Sequence, residues 1–347
     1  MYLKKILLAV VFLGLLVAGI AAYFIYNALF SANTSFNEEE VILYVPTGSS
    51  FMEVRDQITP YLKNPGSFEA VAKRKKYVNY VKAGRYRIAK GMNNNEIINS
   101  LRSKNLPVRV SFNNQETLAD LAGRISTQIE ADSLSLLAAF QDKTFLSKHG
   151  LDAHTHLVPY LPNTYEFFWN TSAKDFRDKM FLEYQKFWNA ERTKKAEAIG
   201  LSSTEVISLA SIVQKETAKV DERKRVAGVY LNRLKQGMLL QADPTVIYAI
   251  KKESGNFDTV IKRVLYRDLE LNSPYNTYKY KGIPPGPIAM PDISSIEAVL
   301  NPEKHNYYYF VADVQNFGYH IFAKNLAQHN RNKAQYIRWI NQQNVNR

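Results

Sequence analysis

The stretch LASIVQKETAKVDERKRVAGVYLNRLKQGMLLQADPTVIY, residues 209–248, decides the fold of this part of the chain, because its pattern predicts three successive helices. Apolar residues recur at helical spacing over residues 206–213, so the first helix is expected to bury one face. Ser202, followed three residues later by Glu205, predicts a capping box at the start of that helix. The second helix is expected to end near Gly237.

Glu216 lies near the apolar face of the first helix, because it follows Leu209 by seven residues and Val213 by three. A carboxylate held against apolar surface loses hydration, which raises its pKa and lets it keep a proton near neutral pH. Such a group can serve as a general acid. The alternative is a charged helix end, with Lys215, Glu216 and Lys219 facing solvent in local ion pairs.

The acidic residues that follow are predicted to have structural roles. Asp221 is expected to cap the second helix, and Glu222 belongs to a solvated helix start. Asp243, followed by Pro244, is predicted to be the N-cap of the third helix. A glycosidase that uses water commonly needs two carboxylates, so a single acid at Glu216 suits a reaction whose nucleophile belongs to the substrate.

Several short blocks follow one another in a fixed order along the chain. They are Pro162–Glu166, Ala210–Thr217, Val229–Leu234, Leu240–Tyr248, Tyr275–Tyr278, Gly282–Ile288, Tyr309–Asp313, His320–Phe322 and His329–Asn330. Together with the apolar N-terminal segment, they resemble the ordered signature of the endolytic murein transglycosylases, the MltG or YceG-like family. The chain departs from the common pattern at Gln214, where many members carry Glu, and at Ala242, where many carry Ser or Thr.

The resemblance implies a lytic transglycosylase, which cleaves the bond between N-acetylmuramic acid and N-acetylglucosamine in peptidoglycan without water. It implies that Glu216 is the catalytic residue: it protonates the glycosidic oxygen and then takes the proton of the muramic 6-hydroxyl as that oxygen closes on C1. The product is a 1,6-anhydro end. Acid/base catalysis and positioning can carry this reaction, so no metal or organic cofactor is expected.

Four polar residues in the matching blocks are candidates to bind the sugar: Gln241, Asn232, Asn276 and Tyr278. Asn232 equally suits the polar side of a helix, and Asn276 a turn. Four of the six histidines are weak candidates for metal ligands, because the chain has no Cys and no close acidic cluster beside them; they are His154, His156, His320 and His329.

The segment Ile6–Tyr26 contains no charged or amide side chain, and as a helix of about 31 Å it matches the thickness of a bilayer core. Lys4 and Lys5 precede it and Glu38–Glu40 follow, so the positive-inside rule places the N-terminus in the cytoplasm. We therefore expect a single-pass plasma (inner) membrane protein whose catalytic domain is extracytoplasmic. The alternative is a signal peptide cleaved near Gly19–Ala21.

The composition fits an exported globular protein with two domains: 347 residues, 46% hydrophobic, no Cys and a net charge of +13. The charge favours polyanions or an anionic membrane surface. Nucleic acid is the alternative that charge alone suggests, but the sequence shows neither zinc-finger spacing nor a basic heptad region. Peptidoglycan, with its carboxylate-bearing stems, suits the exported topology better.

The expected fold is of the α+β class. Residues 1–5 are a cytoplasmic N-terminus, 6–26 the transmembrane anchor, 27–40 a linker, 41–111 a small LysM-like α/β domain and 112–347 a larger mixed α+β catalytic domain. The LysM-like assignment comes from the resemblance; this domain either holds glycan or acts as a spacer above the membrane. Tyr86, at an alternating strand position, is expected in the core. Pro162–Tyr165 is predicted to be a turn, and Tyr307–Ala312 a buried strand.

Three hypotheses for function remain at this point. The first is a membrane-anchored endolytic transglycosylase that terminates nascent glycan strands, with a peptidoglycan synthase as a possible partner. The second is a glycan-binding scaffold of cell-wall synthesis without catalysis. The third is a hydrolytic muramidase, which would need Asp243 or another acid to activate water.

Overall fold

A computed structural model of the chain describes residues 2–342, and its mixed α+β class is the one that the sequence predicts. The helices are α1 (Tyr2–Phe30), α2 (Phe51–Ile58), α3 (Pro65–Arg74), α4 (Asn94–Ser103), α5 (Leu118–Ser126), α6 (Ser133–Phe140), α7 (Lys143–Lys148), α8 (Ala173–Phe187), α9 (Ala190–Ala198), α10 (Ser203–Glu216), α11 (Arg223–Lys235), α12 (Asp243–Ser254), α13 (Ile293–Leu300) and α14 (Leu326–Gln342). The strands are β1 (Glu40–Val45), β2 (Gly84–Ala89), β3 (Pro107–Phe112), β4 (Asn163–Phe168), β5 (Tyr309–Ala312) and β6 (His320–Ala323).

The chain divides into two compact units. The first contains the described residues up to Val110, together with Gln128–Ala131 and Glu166–Ser172. The second contains Ser111–Thr127, Asp132–Tyr165 and the described residues from Ala173 onward.

Helix α1 is apolar along its length and could cross a membrane. Its side chains lie unburied, and it includes the whole predicted segment Ile6–Tyr26. At 29 residues it is about 43 Å long, which exceeds the thickness of a bilayer core. The last turns of the helix therefore extend beyond the segment needed to span.

The expected linker over residues 27–40 is wrong at its start, residues 27–30. Residues 27–30 continue helix α1, and Ala28 and Leu29 pack against the core of the first unit. Asn33 is buried, and its side-chain amide donates to Asn94 Oδ1 at 2.7 Å. The Asn94 amide in turn donates to Ala28 O at 2.8 Å, which satisfies a carbonyl near the helix end. Buried side-chain amides thus join the end of α1 to the rest of the first unit.

The first unit has a core between one antiparallel strand pair and three helices. Strand β1 pairs with β2 so that Leu43 lies opposite Tyr86, and both side chains are buried together with residues from α2, α3 and α4. Helices α2 and α4 begin at capping boxes on Ser50 and Asn93. Tyr86 is 1% exposed, and its hydroxyl donates to Lys82 O at 2.9 Å, so the prediction that Tyr86 belongs to the core is confirmed.

The second unit is built around helix α10. Every residue from Val206 to Val213 is buried, and α11, α12 and α13 pack around it. The capping box of Ser202 and Glu205 at its start is present as predicted. Because α10 is buried on all sides from Val206 to Val213, its last residue, Glu216, remains half-buried instead of turning fully to solvent.

Two predicted elements of this unit differ in the structure. Asn163 begins strand β4, which pairs with β3, so the predicted turn at Pro162–Tyr165 is wrong from its second residue onward. The predicted buried strand is only partly buried: β5 begins at Tyr309, and its first three residues are half-buried. The reason is that β5 pairs with β6 alone, and a two-stranded ribbon leaves part of its surface uncovered.

Gly286 lies where the Gly282–Ile288 loop comes closest to another backbone. A Cβ atom at this position would lie 1.9 Å from His154 O, which is far inside van der Waals contact. We expect Gly286→Ala to lower the free energy of unfolding by about 1–3 kcal/mol, because the loop must move away to relieve the clash. Urea unfolding followed by circular dichroism measures the change.

Gly123→Ala is the matched control, since a Cβ at Gly123 in α5 meets nothing within 4 Å. This variant should be as stable as the wild type or up to about 1 kcal/mol more stable, because Ala favours the helix. Equal unfolding curves for Gly286→Ala and Gly123→Ala would contradict the proposed clash.

Candidate active site

An open cavity of about 290 Å³ lies in the second unit at the C-terminal end of α10. Its walls come from α10, α11, the turn between α11 and α12, the start of α12, β5 and α14, with one residue from the loop after Tyr275. The lining residues are Glu216, Tyr230, Arg233, Leu240, Gln241, Asp243, Tyr278, Tyr309, Phe310, Leu326 and His329. The lining is mainly polar and aromatic, which suits a hydroxylated ligand such as a sugar.

Glu216 is the last residue of α10, and its partly buried carboxylate faces this cavity. Burial raises the pKa of Glu216 to about 7; a hydrogen bond from Tyr230 works against the rise, and the negative charge of Asp243 adds to it. The direction of this shift is the one that the sequence predicts. Near neutral pH, Glu216 can both give and take a proton.

The alternative of a solvated charged helix end is wrong. Lys215 pairs with Glu116 at 2.6 Å, and the ammonium of Lys219 lies 4.9 Å above the ring of Tyr319. Neither lysine forms the ion pair with Glu216 that this alternative required.

Tyr230 holds the carboxylate of Glu216. It lies on α11, is almost fully buried, and its hydroxyl donates to Glu216 Oε1 at 2.7 Å. Burial and the neighbouring charge of Glu216 raise the pKa of Tyr230 well above its usual value. The hydroxyl therefore stays protonated and donates across the physiological pH range.

Arg233 follows Tyr230 by one helical turn and is only 7% exposed. Its guanidinium donates to Tyr308 O and Leu240 O, both at 2.6 Å, and lies 5.2 Å from the centre of the Tyr309 ring. It thereby ties two segments of the cavity wall to α11. It also brings a positive charge close enough to oppose the rise in the pKa of Glu216.

Gln241 has a left-handed backbone conformation, with φ at 49°, which residues other than glycine rarely adopt. Its N–H donates to Thr277 O at 3.1 Å, and the next N–H, of Ala242, donates to Thr277 Oγ1 at 3.0 Å. Thr245 Oγ1 donates to Ala242 O at 2.7 Å. These buried bonds hold a strained turn in place beside the cavity, and such strain is commonest at functional sites.

Asp243 is not the N-cap that the sequence predicts. The N-cap position of α12 is Ala242, which has no side chain to cap with, and Asp243 is already in the helix. The exposed carboxylate of Asp243 lines the cavity with Glu216 and accepts a hydrogen bond from the Tyr278 hydroxyl at 2.5 Å. The cavity therefore contains two carboxylates rather than one.

The cap predicted at Asp221 is also wrong. Helix α11 has Glu222 at its N-cap position without a side-chain cap, and Asp221 accepts from the Tyr319 hydroxyl at 3.0 Å. Glu222 is 3% exposed rather than solvated. It accepts from His320 through both the backbone N–H, at 2.7 Å, and Nδ1, at 2.8 Å. The start of α11 is therefore attached to β6.

The structure separates the four predicted sugar-binding residues into two pairs. Gln241 and Tyr278 line the cavity with Glu216. Asn232 and Asn276 do not: the Asn232 amide donates to two backbone carbonyls, of His305 at 2.8 Å and Tyr307 at 3.0 Å. Asn276 is 0% exposed, and its amide donates to the carbonyls of Leu269 and Leu271. The predicted sugar-binding role is therefore corrected for these two residues, whose amides hold loops in place.

Sequence reasoning missed three residues that shape the cavity: Tyr230, Arg233 and Thr277. The first two could have been found, because Tyr230 and Arg233 occupy one face of a predicted helix three residues apart. Thr277 could not, since its partners Gln241 and Ala242 are distant in sequence. Within residues 2–342, no group of three or more His, Cys, Asp and Glu side chains is placed to hold a metal ion.

An α+β unit with a proton-holding glutamate in a polar, aromatic cavity defines a candidate acid/base enzyme of sugar chemistry. The model of the YceG-like family matches residues 43–335, and the chain belongs to this family. A solved structure agrees: the YceG-like protein lmo1499 of Listeria monocytogenes superimposes with a TM-score of 0.55 and 30% identity, covering 85% of this chain and 99% of that one.

Two named relatives are similar to most of the chain. The endolytic murein transglycosylase of Bacillus subtilis (strain 168) is 33% identical over 319 residues, which cover 86% of this chain and 85% of the relative. A protein of the same name from Streptococcus pneumoniae serotype 2 (strain D39) is 29% identical over 365 residues. That match covers 94% of this chain but 64% of the relative, so the chain spans less than two thirds of the pneumococcal protein.

The raised pKa of Glu216 predicts a pH-dependent cost in stability. Because the folded state holds this proton more tightly than the unfolded chain, the stabilisation is present at low pH and is lost as pH rises through about 7. Glu216→Gln carries no such charge. Relative to this variant, the wild type should lose about 1–3 kcal/mol of unfolding free energy between pH 5 and pH 8.

Urea unfolding of both proteins at pH 5 and pH 8 measures the difference. Glu197→Gln on the exposed face of α9 serves as the control for removing a carboxylate elsewhere. Parallel pH profiles for wild type and Glu216→Gln would show that Glu216 ionises as freely in the folded protein as in the unfolded chain.

Proposed function

We propose that this protein is a membrane-anchored endolytic murein transglycosylase, which cleaves the bond between N-acetylmuramic acid and N-acetylglucosamine within peptidoglycan strands and leaves 1,6-anhydro ends. The observation that carries the proposal is Glu216, whose pKa is raised to about 7 in an open polar cavity. The support from comparison is membership of the YceG-like family and relatives that bear this name over most of the chain.

In the proposed reaction, protonated Glu216 gives its proton to the glycosidic oxygen as the bond from that oxygen to muramic C1 breaks. The muramic 6-hydroxyl then forms the new bond to C1, and its proton passes to the Glu216 carboxylate. Glu216 ends in the protonated state in which it began, so no water or external base is consumed. A pKa near 7 suits both halves of this cycle.

Tyr230 and Arg233 support this cycle without exchanging protons themselves. The Tyr230 hydroxyl fixes one oxygen of Glu216 at 2.7 Å, which leaves the other free to face the substrate. The Tyr230 bond and the charge of Arg233 both stabilise the carboxylate that forms after proton transfer. They thereby keep burial from raising the pKa so far that the acid could no longer release its proton.

The remaining wall groups suit recognition of the sugar. Gln241 and Tyr278 offer an amide and a hydroxyl for N-acetyl and hydroxyl groups, and the ring of Tyr309 offers a face for stacking. We propose Gln241 and Tyr278 as substrate-binding residues. Asn232 and Asn276 are left out, because backbone carbonyls already occupy their amides.

The location follows from α1. We propose that this helix anchors the protein in the plasma membrane, with the N-terminus in the cytoplasm and the enzyme outside, where it can end the growth of nascent strands made by a synthase partner. The strand pair β1 and β2 with α2, α3 and α4 agrees in element types with the proposed LysM-like domain at residues 41–111. The proposed catalytic domain comprises residues 112–347.

A hydrolytic muramidase is the second candidate, and one observation favours it. Asp243 lies in the same cavity as Glu216, so a second carboxylate is available to activate water. A scaffold without catalysis is less favoured, because a binding surface does not require a glutamate whose pKa is raised to about 7.

Digestion of purified glycan strands in heavy-oxygen water tests the proposal. The wild type should produce 1,6-anhydro ends, each lighter by one water than a hydrolytic end and free of the heavy isotope, because solvent oxygen never enters the bond. Mass spectrometry of the released fragments measures both properties. Labelled reducing ends would identify a muramidase, and the absence of new ends would identify a scaffold.

Glu216→Gln is the matched variant for this assay. It keeps the shape of the side chain but has no acid proton, so cleavage should fall by a factor of about 10³ or more. Gln214→Ala is the control on the same helix, because Gln214 bonds to Asp292 and Ser295 rather than lining the cavity. Equal cleavage by wild type and Glu216→Gln would remove Glu216 as the acid.

The proposed topology is tested in spheroplasts that express the full chain with an epitope after Arg347. Protease added outside should remove the epitope, because the positive residues Lys4 and Lys5 hold the N-terminus in the cytoplasm. A cytoplasmic marker protein is the control and should stay intact. An epitope that survives until the membrane is lysed would reverse the orientation.

A further inference from the structure

We infer that a second cavity, beside the one that contains Glu216, binds a carboxylate of the peptide stem that the muramic residue carries. This lysine cavity has a volume of about 200 Å³ and is lined by Glu116, Lys215 and Lys251 together with apolar side chains. The inference rests on the proposed function, because it assumes that a muramic residue lies at Glu216. It adds the stem peptide to the part of the substrate that the protein recognises.

The lysine cavity is a neighbour of the Glu216 cavity, because consecutive residues of the same two helices line them. On α10, Lys215 lines the lysine cavity and Glu216 the other. At the start of α12, Asp243 lines the Glu216 cavity and Pro244 the lysine cavity. Consecutive Cα atoms are about 3.8 Å apart, and an extended peptide advances about 3.3–3.6 Å per residue. A stem attached to a sugar at Glu216 therefore reaches the lysine cavity within its first few residues.

Two ammonium groups in the lysine cavity are already placed to hold a carboxylate. Lys215 Nζ donates to Glu116 Oε1 at 2.6 Å, and Lys251 Nζ donates to Oε2 of the same group at 2.8 Å. Burial raises the pKa of Glu116, but the hydrogen bonds and charges of the two lysines outweigh burial and lower the pKa below its usual value. Glu116 is therefore ionised at neutral pH, and both lysines bind it as an anion.

The lysine cavity has an excess of positive charge. Among residues 2–342, Glu116 is the one acidic side chain that forms an ion pair with Lys215 or Lys251, so the three groups together carry a charge of +1. Each ammonium has three N–H donors, and Glu116 accepts from one on each lysine. The side chain of Lys251 is only 12% exposed, which strengthens its attraction for an anion. The excess charge and the remaining donors suit a second carboxylate.

The other walls of the lysine cavity suit a short peptide. Ile247 from α12 and Ile288 from the loop before α13 line it with apolar atoms. The segment before Glu116 is joined to that loop by a hydrogen bond from Met290 N–H to Gln115 O at 2.8 Å. A few charged groups on apolar walls can fix the end of a ligand and enclose the rest of it. A stem peptide offers a carboxylate for the lysines and aliphatic side chains for these walls.

Binding of glycan fragments tests the inference. The full chain with Glu216→Gln, which does not consume its ligand, is titrated in a neutral detergent by calorimetry. One ligand is a glycan fragment with free stem carboxylates, and the other is the same fragment with those carboxylates converted to amides. The free carboxylates should lower Kd about 5–10-fold. This preference should shrink at about 0.5 M salt, because salt screens the partly exposed charges.

Changes at Lys251 and Glu116 should move this preference in opposite directions. Lys251→Met removes the more buried positive charge and should reduce the preference to about twofold or less, whereas Lys251→Arg keeps the charge and should retain most of it. Glu116→Gln removes the negative charge that repels the stem carboxylate, so the preference should rise about threefold or more. An ion-pair cluster that only braces the fold would not bind stems more tightly after the loss of Glu116.

Lys252→Met is the matched control. Lys252 follows Lys251 on α12, but its ammonium donates to the Tyr275 hydroxyl at 3.4 Å and lies outside both cavity linings. This variant loses the same charge from the same helix and should keep the parent preference for free stem carboxylates. Urea unfolding of every variant shows whether it is folded under the assay conditions.

A third ligand separates the two sources of a carboxylate on this substrate. Glycan without stems carries only the lactyl carboxylate of the muramic residue, which lies next to the sugar ring. Its Kd should change less than twofold in Lys251→Met, because this group does not extend into the lysine cavity. A Kd for stem-free glycan that depends on Lys251 as strongly as that of stem-bearing glycan would assign the lysines to the lactyl group and overturn the stem site.

The outcomes separate the inference from the proposed function. Equal Kd values for free and amidated stems, a preference that Lys251→Met leaves unchanged, or one that Glu116→Gln does not raise would overturn the stem site. Unlabelled anhydro ends from the wild type would leave the transglycosylase function standing in each of these cases. If the wild type forms labelled reducing ends or no new ends while the Kd ratios are as expected, the transglycosylase function falls and the stem site stands.

Discussion

The desolvation of one carboxylate, that of Glu216 at the end of α10, is the constraint on which the site depends. An ionised carboxylate loses several kcal/mol of hydration on burial unless other groups replace it, and here the protein replaces only part. One hydrogen bond from Tyr230 and the charge of Arg233 offset the burial incompletely, so the pKa settles near 7. Stronger compensation would lower the pKa of Glu216 and leave it ionised near neutral pH. Weaker compensation would raise the pKa and leave Glu216 protonated.

The fold of the second unit produces this partial compensation. Helix α10 packs against α11, α12 and α13, so its last residue, Glu216, is half-buried beside the cavity. Helix α11 then presents Tyr230 and Arg233 one turn apart on the face toward Glu216. Two donors of Arg233 bond to the carbonyls of Tyr308 and Leu240. It therefore contributes charge at a distance rather than an ion pair, which would have lowered the pKa of Glu216 much further.

The sequence allowed Glu216 to be predicted but not Asp243, and the difference is physical. The burial of Glu216 follows from apolar spacing within one helix, which is local. Asp243 followed by Pro244 is locally typical of a helix start, and the helix does begin there. What redirects the carboxylate is a hydrogen bond from Tyr278, a tertiary contact that no local pattern encodes. The same reason explains Asn276, whose turn position was recognised while its burial was not.

Elsewhere in the fold, too, local features could be predicted from sequence and tertiary contacts could not. The capping boxes at Ser202, Ser50 and Asn93 involve neighbours three residues apart, and the one at Ser202 was predicted from sequence. The end of α1 was misplaced because polar side chains typical of a linker occur within residues 27–34, at Asn27, Ser31, Asn33 and Thr34. The Asn33 amide instead donates to buried Asn94, and the Asn94 amide donates to Ala28 O. Polarity indicates solvent exposure only where no buried partner exists, and the partner here lies 61 residues away.

Positions 214 and 216 lie two residues apart on α10 and therefore face different parts of the second unit. Residues two apart on a helix do not face the same neighbour. Gln214 therefore faces the start of α13, where its oxygen accepts from Asp292 N and Ser295 Oγ while its amide donates to the Asp292 carboxylate at 2.8 Å. That last bond requires a donor, which an ionised glutamate lacks. Position 214 is thus satisfied by an amide in a structural junction, and Glu216 alone on this helix presents an acid to the cavity.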